Sequence, residues 1–130
     1  MTQNETEVRH IVEDWAQAVR NKDKQGILAR HTDDFVMFDV PPPFQSKGLE
    51  AYWRTWETFY GWTKDAGVFD IIDMTVVAGN DVAFCYAVMR CAGYTPNGEK
   101  ESLQFRLTVG LVKIDGQWLI KHEHHSVPSE

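Results

Sequence analysis

The segment Gly116-Gln117-Trp118-Leu119-Ile120-Lys121-His122-Glu123-His124-His125-Ser126 lies near the end of the chain and decides how the fold closes. It follows an Asp-Gly pair, which is among the strongest short signals for a hairpin turn, so it predicts the second strand of a β-hairpin. Three of the five histidines of the chain lie in it. Because side chains alternate between the two faces of a sheet, the face that each histidine takes decides the chemistry of the interior.

Strict alternation divides this strand into two different faces. One face comprises Trp118, Ile120, His122, His124 and Ser126. The other face comprises Leu119, Lys121, Glu123 and His125. The first set is apolar at one end and carries imidazole groups at the other, which is typical of the wall of a half-polar pocket. We expect the second, charged set to face solvent or a partner chain.

The hairpin turns predict which residues of the neighbouring strands share these faces. The alignment assumes a two-residue loop at Asp115-Gly116 and a two- or four-residue loop within residues 95–98. The predicted inner face then comprises Tyr86, Val88, Arg90, Phe105, Leu107, Val109, Leu111, Ile120, His122 and His124. The predicted outer face comprises Cys85, Ala87, Met89, Gln104, Arg106, Thr108, Glu123 and His125. A single β-bulge would exchange the two faces.

Length and composition limit the class of protein. A chain of 130 residues with 43% hydrophobic and 25% charged residues predicts one globular domain over residues 1–130. The net charge of −6 argues against nucleic acid and anionic membranes as partners. The start of the chain has no signal-peptide pattern and no segment is apolar enough for a membrane span, so we expect a cytoplasmic protein.

Periodicity predicts the other elements. Apolar residues at helical spacing and a Thr2-x-x-Glu5 capping box predict a first helix over residues 2–22. Further helices are predicted over residues 25–31 and, with Ser46 as N-cap, over residues 47–61. The predicted strands span residues 35–40, 68–77, 81–94, 99–114 and 117–127. Three helices followed by mostly antiparallel strands predict an α+β domain whose sheet curls around the helices.

Two features outside the last strand suggest a pocket. Asp39 ends an apolar strand just before Pro41-Pro42-Pro43, a segment that cannot continue a β-ladder. Asp39 is therefore either a solvated carboxylate at the end of a strand or a functional carboxylate in a pocket. The third helix carries a broad aromatic face, which either fills the core or lines one side of a cavity. This face comprises Leu49, Tyr52, Trp53, Trp56, Phe59 and Tyr60.

Four motifs together resemble a known family. They are Asp33-Asp34 followed by Asp39, the helix start Gly48-x-x-x-x-Trp53, Asp115-Gly116-x-Trp118-x-Ile120, and His122-Glu123-His124-His125-Ser126. The chain resembles, over nearly its whole length, the SnoaL-like and ketosteroid-isomerase-like group of the nuclear transport factor 2-like superfamily. The resemblance implies a cone-shaped α+β fold with three N-terminal helices packed in a curved, mostly antiparallel sheet. It also implies a homodimer formed through the outer face of the sheet.

The same resemblance implies roles for individual residues. Asp39 matches the position of the general base of ketosteroid isomerases. Trp15 stands where those isomerases carry a tyrosine donor, and their second donor, an acid, falls near Val109 or Gly110 and is absent. A different donor set is then required, for which His122 and His124 are the catalytic candidates beside Asp39. The candidate substrate-binding residues are Trp15, Trp53, Trp56, Tyr86, Arg90 and Phe105.

Three functions remain open at the level of sequence. The first is an isomerase, cyclase or lyase that acts on a small hydrophobic carbonyl compound through acid–base chemistry. The second is a non-catalytic ligand-binding or dimerisation module of the same fold. The third is a metal site formed by His122, His124 and Asp39. The sequence contains no Gly-rich phosphate loop, and we expect no cofactor.

Overall fold

The computed structural model describes residues 1–129, and the elements within them confirm an α+β fold. The helices are α1 (Gln3–Arg20), α2 (Lys24–Leu28) and α3 (Leu49–Thr63). The strands are β1 (His31–Phe38), β2 (Ser46–Lys47), β3 (Phe69–Ala78), β4 (Val82–Tyr94), β5 (Lys100–Ile114) and β6 (Gln117–Ser126). No helix among residues 1–129 is both long and apolar enough to span a membrane.

The strands form one sheet in the order β2-β1-β6-β5-β4-β3. Every neighbouring pair is antiparallel except β1 and β6, which run parallel. The inner face of the sheet and helices α1 and α3 enclose the hydrophobic core. This arrangement places the end of β1, the end of β6 and the aromatic face of α3 next to one another.

Helix α1 begins with the predicted capping box. The Thr2 side chain accepts a hydrogen bond from the Glu5 amide at 3.1 Å, and the Thr2 amide donates to Glu5 Oε1 at 3.1 Å. These bonds satisfy backbone and side-chain groups at a helix end that would otherwise lack partners. The buried face of the helix comprises Val8, Ile11, Val12, Trp15, Ala16, Ala18 and Val19.

Helix α3 begins in a different way from the prediction. Ser46 is not its N-cap but lies in β2, where it pairs with Met37 of β1. The N-cap is Gly48, whose φ of 85° is accessible to glycine at little cost. Since glycine has no side chain, no side-chain cap satisfies the first amides of α3.

The turn between β4 and β5 corrects the predicted faces of β4. The turn has three residues, 96–98, because the Thr95 amide donates to the Glu99 carbonyl at 2.8 Å. Gly98 ends it with a φ of 83°, as three-residue hairpins require. An odd number of loop residues shifts the pairing by one residue relative to a two- or four-residue loop. The inner residues of β4 are therefore Ala83, Cys85, Ala87, Met89 and Cys91.

This shift makes the predicted inward positions of Tyr86 and Arg90 wrong. Tyr86 is 53% exposed on the outer face of the sheet. Arg90 lies on the same face and pairs with Asp70 across β3 at 2.8 Å. Phe105, Leu107, Val109 and Leu111 of β5 face the core as predicted.

A β-bulge at Lys121 corrects the predicted faces of β6. The pairing follows the prediction from Ile114–Gln117 to Leu111–Ile120, and Gly110 then pairs with His122. Lys121 is the extra residue, and the pairing of β6 with β1 is irregular at the same place. Every side chain beyond the bulge consequently changes face.

The consequence is an exchange of histidines between the two faces. Glu123 and His125, predicted to lie outside, are buried with exposures of 1% and 6%. His122 and His124, predicted to lie inside, point to the outer face, where His122 is partly exposed and His124 exposed. The prediction of an inward His122 and His124 is therefore wrong.

Candidate functional site

An apolar cavity of about 380 Å³ lies between α3 and the inner face of the sheet. Its volume falls in the range of small-molecule sites in proteins. The lining residues are Met37, Asp39, Val40, Pro41, Thr55, Trp56, Thr58, Phe59, Trp62, Phe69, Cys91, Leu103, Phe105 and His125. Aromatic rings dominate this wall, and His125 is its buried polar side chain.

The His125 ring is held by aromatic neighbours. It stacks on Phe105 with the ring centroids 5.5 Å apart and the planes 8° from parallel. The rings of Trp15 and Trp56 meet it edge to face at 6.1 and 6.2 Å. Such contacts restrict rotation of the imidazole, so its two nitrogen atoms point in fixed directions.

Behind His125, the buried carboxylate of Glu123 receives three donors. His125 Nε2 lies 3.1 Å from Oε1, and His31 Nε2 lies 2.9 Å from Oε2. The Tyr52 hydroxyl donates to the same carboxylate, at 2.9 Å from Oε2 and 3.1 Å from Oε1. Trp15 Nε1 in turn donates to the Tyr52 oxygen at 2.8 Å. The resulting network connects α1, α3, β1 and β6.

The partners of His31 determine its protonation. Its Nδ1 lies 2.9 Å from the carbonyl oxygen of Ala29, which can only accept a hydrogen bond. Its Nε2 faces the carboxylate of Glu123, which also accepts when ionised. Both ring nitrogens therefore have acceptors as partners, and the imidazolium form of His31 makes a buried ion pair with Glu123.

Two groups of the network have shifted pKa values. Burial alone raises the pKa of Glu123, but the hydrogen bonds from His125 and His31 and the charges of these rings outweigh it and lower the pKa to about 2. Burial, followed by the charge of Glu123, raises the pKa of Tyr52 well above its ordinary value. Glu123 is thus an anion and Tyr52 a neutral donor across the physiological pH range.

The ionised carboxylate fixes the tautomer of His125. Because Glu123 accepts from Nε2, this nitrogen keeps its proton when the ring is neutral, and only the protonated form of His125 adds a charge beside Glu123. Nδ1 then has a free lone pair, and it makes no hydrogen bond within residues 1–129. A buried imidazole oriented by a carboxylate, with its other nitrogen unpaired beside a cavity, is the arrangement of a general base.

The structure brings several of the predicted residues to this cavity. Asp39 lines it and is partly exposed, and its Oδ1 accepts a hydrogen bond from the Val40 amide at 2.8 Å. Trp56 and Phe105 also line it. Trp15 lies behind the cavity, beside Tyr52.

Other predicted residues lie elsewhere. Trp53 is not among the lining residues and packs beside Tyr60, with the ring centroids 6.4 Å apart. His122 is on the outer face, where its Nδ1 donates to the Val36 carbonyl at 2.7 Å. Since His122 and His124 point away from Asp39, the three do not form the metal site considered above. Residues 1–129 contain no group of three or more His, Cys, Asp or Glu side chains placed to hold a metal ion.

Sequence reasoning missed the four side chains of the network that matter most. They are His31, Tyr52, Glu123 and His125. The alternation of β6 contained the signal for two of them, because Glu123 and His125 share a face in either register. His31 was assigned to the end of a helix, whereas it begins β1 beside Ile120 of β6. Tyr52 was identified only as part of an aromatic face.

Comparisons with known proteins agree with the fold. The model of the SnoaL-like domain family matches residues 8–130. An NTF2-like protein of unknown function from Pseudomonas putida is 36% identical, with 97% of this chain and 87% of the other covered and a TM-score of 0.82. Among curated proteins, none matches the chain.

Two further solved structures share the fold at low identity. A ketosteroid isomerase-like protein from Erwinia carotovora is 16% identical, with both chains fully covered (100% each) and a TM-score of 0.78. A protein with a cystatin-like fold from Nostoc punctiforme is 12% identical, with 98% and 93% covered and a TM-score of 0.79. The fold defines an NTF2-like protein with a cavity inside its curved sheet. The chain belongs to the SnoaL-like domain family.

Proposed function

We propose that the protein binds a small apolar molecule in this cavity and removes a weakly acidic O–H or C–H proton from it, with His125 as general base. The single observation that supports this most is the position of the His125 ring, whose Nε2 is fixed on a buried carboxylate and whose Nδ1 is unpaired beside the cavity. Isomerisation, cyclisation and elimination next to a carbonyl group all begin with such a proton transfer.

The network supports each part of this step. The lone pair of Nδ1 accepts the proton, and the negative charge of Glu123 stabilises the imidazolium that results. His31 and Tyr52 hold Glu123 in place, so the carboxylate does not reorganise during the reaction. The aromatic walls exclude water, which strengthens these electrostatic interactions.

Asp39 has a different part in this proposal from the one expected. It lines the cavity at a partly exposed position, and one of its oxygens is occupied by the Val40 amide. We therefore assign the base to the buried His125 and leave Asp39 as a polar contact for the outer part of the ligand.

The test uses two probes. A naphthol reports binding through its own fluorescence, and a nitrobenzisoxazole reports proton abstraction. In the second probe, a base takes the ring C–H proton while the N–O bond breaks, and a coloured cyanophenolate forms. We expect the wild type to bind naphthol and to open the benzisoxazole, and His125→Gln to lower the rate by roughly 100-fold, the lower end of general-base effects.

The control is His10→Gln, the same substitution at an exposed histidine of α1 that lines neither cavity. It should retain most of the activity on the benzisoxazole. Equal rates for the wild type and His125→Gln would remove His125 as the base, and an absence of naphthol binding would overturn the proposal as a whole.

A non-catalytic binding module is the second candidate, and one observation favours it. The oxygens of Glu123 are already satisfied by groups of the protein itself, as in a purely structural network. Naphthol binding without any benzisoxazole opening by the wild type would support this alternative.

We also propose that a second copy of the chain binds to the outer face of the sheet, so that the protein forms a homodimer. Phe84 and Tyr86 are 46% and 53% exposed there, and their rings stack with the centroids 6.4 Å apart. Val77, Val82 and Val88 extend the same surface. An exposed apolar patch on a sheet face can pack on its own copy around a twofold axis. Cys85, Ala87 and Met89, which were predicted to lie on this outer face, are buried on the inner one and take no part in this surface.

A further inference from the structure

A second cavity adjoins the apolar one. Its volume is about 200 Å³, and it shares with the apolar cavity the lining residues Asp39, Pro41, Thr55 and Thr58. We call it the side cavity. The apolar cavity is walled by aromatic rings, whereas the side cavity has no aromatic residue of residues 1–129 in its lining. Its wall combines Pro41, Pro42, Pro43 and Ala51 with the polar side chains of Ser46, Lys47 and Arg54.

The beginning of α3 has hydrogen-bond donors without partners among residues 1–129, and one of these residues, Ala51, lines the side cavity. The Tyr52 amide makes the first hydrogen bond of the helix, by donating to the Gly48 carbonyl at 3.1 Å. The amides of residues 49–51 precede it, and the glycine N-cap gives them no side-chain acceptor. Free amides and the helix dipole together favour a negative charge at this place.

Ser46 provides an independent sign of a ligand. Its side chain lines the side cavity although the residue is only 4% exposed. The described residues offer its hydroxyl no hydrogen bond, and the oxygen is not enclosed by the protein, so it can bind a group that enters the side cavity. A ligand atom in the side cavity would satisfy it.

The formal charges around the side cavity also favour an anion. Lys47 is exposed and forms no ion pair within residues 1–129. Arg54 binds Glu50 through one of its nitrogens at 2.6 Å and keeps further donors. Asp39 lies where the two cavities meet and disfavours an anion there, which leaves the α3 end as the place for one.

The apolar cavity, in contrast, favours an uncharged part of the ligand. No lysine or arginine of residues 1–129 lines it, so an anionic group inside it would lack a cationic lysine or arginine partner. One ligand that fits both cavities thus has an apolar body and one anionic end.

We infer that the ligand of this protein is an amphipathic organic acid, with an aromatic or alicyclic body in the apolar cavity and a carboxylate in the side cavity. The inference rests on the proposed function, because it takes the apolar cavity as the site of the body. It identifies Ser46, Lys47 and Arg54 as residues that determine specificity. They do not take part in the proton transfer.

The test compares matched probes. A series of hydroxynaphthyl alkanoic acids of increasing chain length is measured against the corresponding neutral amides and against naphthol itself. For at least one chain length, we expect the acid to bind roughly tenfold more tightly than its amide, as one or two charge-assisted hydrogen bonds would give. The advantage should decrease as the salt concentration rises.

Variants locate the carboxylate. Lys47→Gln and Arg54→Gln should each weaken binding of the acid by roughly threefold or more and leave the amide and naphthol unchanged. The matched controls are Lys24→Gln, at an exposed lysine over the Trp53 ring, and Arg90→Gln, at an arginine paired with Asp70. Both remove one positive charge at a distance from the side cavity and should leave the acid unaffected.

The outcomes separate the two proposals. If acid and amide bind equally at every chain length while naphthol still binds, the anionic end is overturned and the apolar site stands. An equal loss of acid binding in the control variants would also overturn it, since the effect would then come from net charge alone. If naphthol itself fails to bind, it is the proposed function that fails.

Discussion

At the scale of single residues, Glu123 determines the protonation of the groups around it. One buried carboxylate accepts from two histidines and a tyrosine, and it is the negative partner of the His31 imidazolium. A buried ion pair of this kind adds little net stability to the fold, because desolvation of the two charges offsets their attraction. Removal of one partner is nevertheless strongly destabilising, because the other charge is left buried and unpaired.

Replacement of Glu123 should therefore destabilise the fold. Glu123→Gln keeps the shape but leaves a buried positive charge without its partner, and we expect the free energy of unfolding in urea to fall by about 3 kcal/mol. The matched control is Glu50→Gln, whose carboxylate pairs with Arg54 at the surface and should change stability by less than about 1 kcal/mol. Equal unfolding midpoints for Glu123→Gln and the wild type would contradict the buried ion pair.

The lowered pKa of Glu123 also predicts how stability depends on pH. Folding lowers the pKa from its ordinary value of 4.5 to about 2. Because the unfolded chain binds the proton more readily, the stabilisation is complete above the unfolded pKa and is lost as the pH falls through the folded one. The shift corresponds to about 3 kcal/mol. Unfolding measured across this window should show a steep loss in the wild type and a shallower one in Glu123→Gln; parallel curves would contradict the assignment.

At the scale of elements, two small irregularities decide which side chains reach the interior. The hairpin at Asp115-Gly116 could be predicted, because a two-residue turn leaves one register. The position of the turn over residues 96–98 could be predicted from the sequence. Its number of residues could not, since Gly98 suits turns of several lengths. The bulge at Lys121 has no local signal, because it arises where β6 meets both β5 and β1.

The helices were predicted more closely than the site. Apolar spacing and capping determine α1 almost entirely from nearby residues, and the observed Gln3–Arg20 lies within the predicted range. The candidate site depends on the alignment of distant strands, and one shift of register moved Glu123 and His125 inside. Asp39, Trp56 and Phe105 lie outside the shifted segments, and all three line the cavity.

Changes in the length of β6 should have unequal effects. Deletion of Lys121 removes the extra residue and leaves Ile120, Glu123 and His125 on the inner face. Insertion of a glycine after Lys121 turns Glu123 and His125 outward if the bulge is kept. If the bulge is lost instead, both side chains stay inside, but Glu123 moves from Val109 to Leu107 of β5 and away from His31 and Tyr52. We expect the deletion variant to remain folded with reduced stability and the insertion variant to lose most of its cooperative unfolding, as followed by circular dichroism in urea. Equal stability of both variants would contradict the bulge.

At the scale of the whole molecule, the outer sheet face predicts the state of assembly. If a second copy covers Phe84 and Tyr86, light scattering should give the wild type twice the chain mass of 15.0 kDa. Phe84→Arg would place a charge in the interface and should give the mass of one chain. Phe44→Arg, at the fully solvated Phe44, is the matched control and should leave the mass unchanged. A single-chain mass for the wild type at micromolar concentration would exclude the second copy.

The bulge at Lys121 has a consequence for the comparison of related chains. In a strand, an extra residue has the effect that a frameshift has in a gene, because every later position acquires a different environment. The sequence His122-Glu123-His124-His125 is compatible with two face assignments. In one, His122 and His124 face the interior, and in the other, Glu123 and His125 do. When roles are transferred between relatives, the number of residues between the Asp-Gly turn and the carboxylate therefore carries as much information as the identity of the histidines.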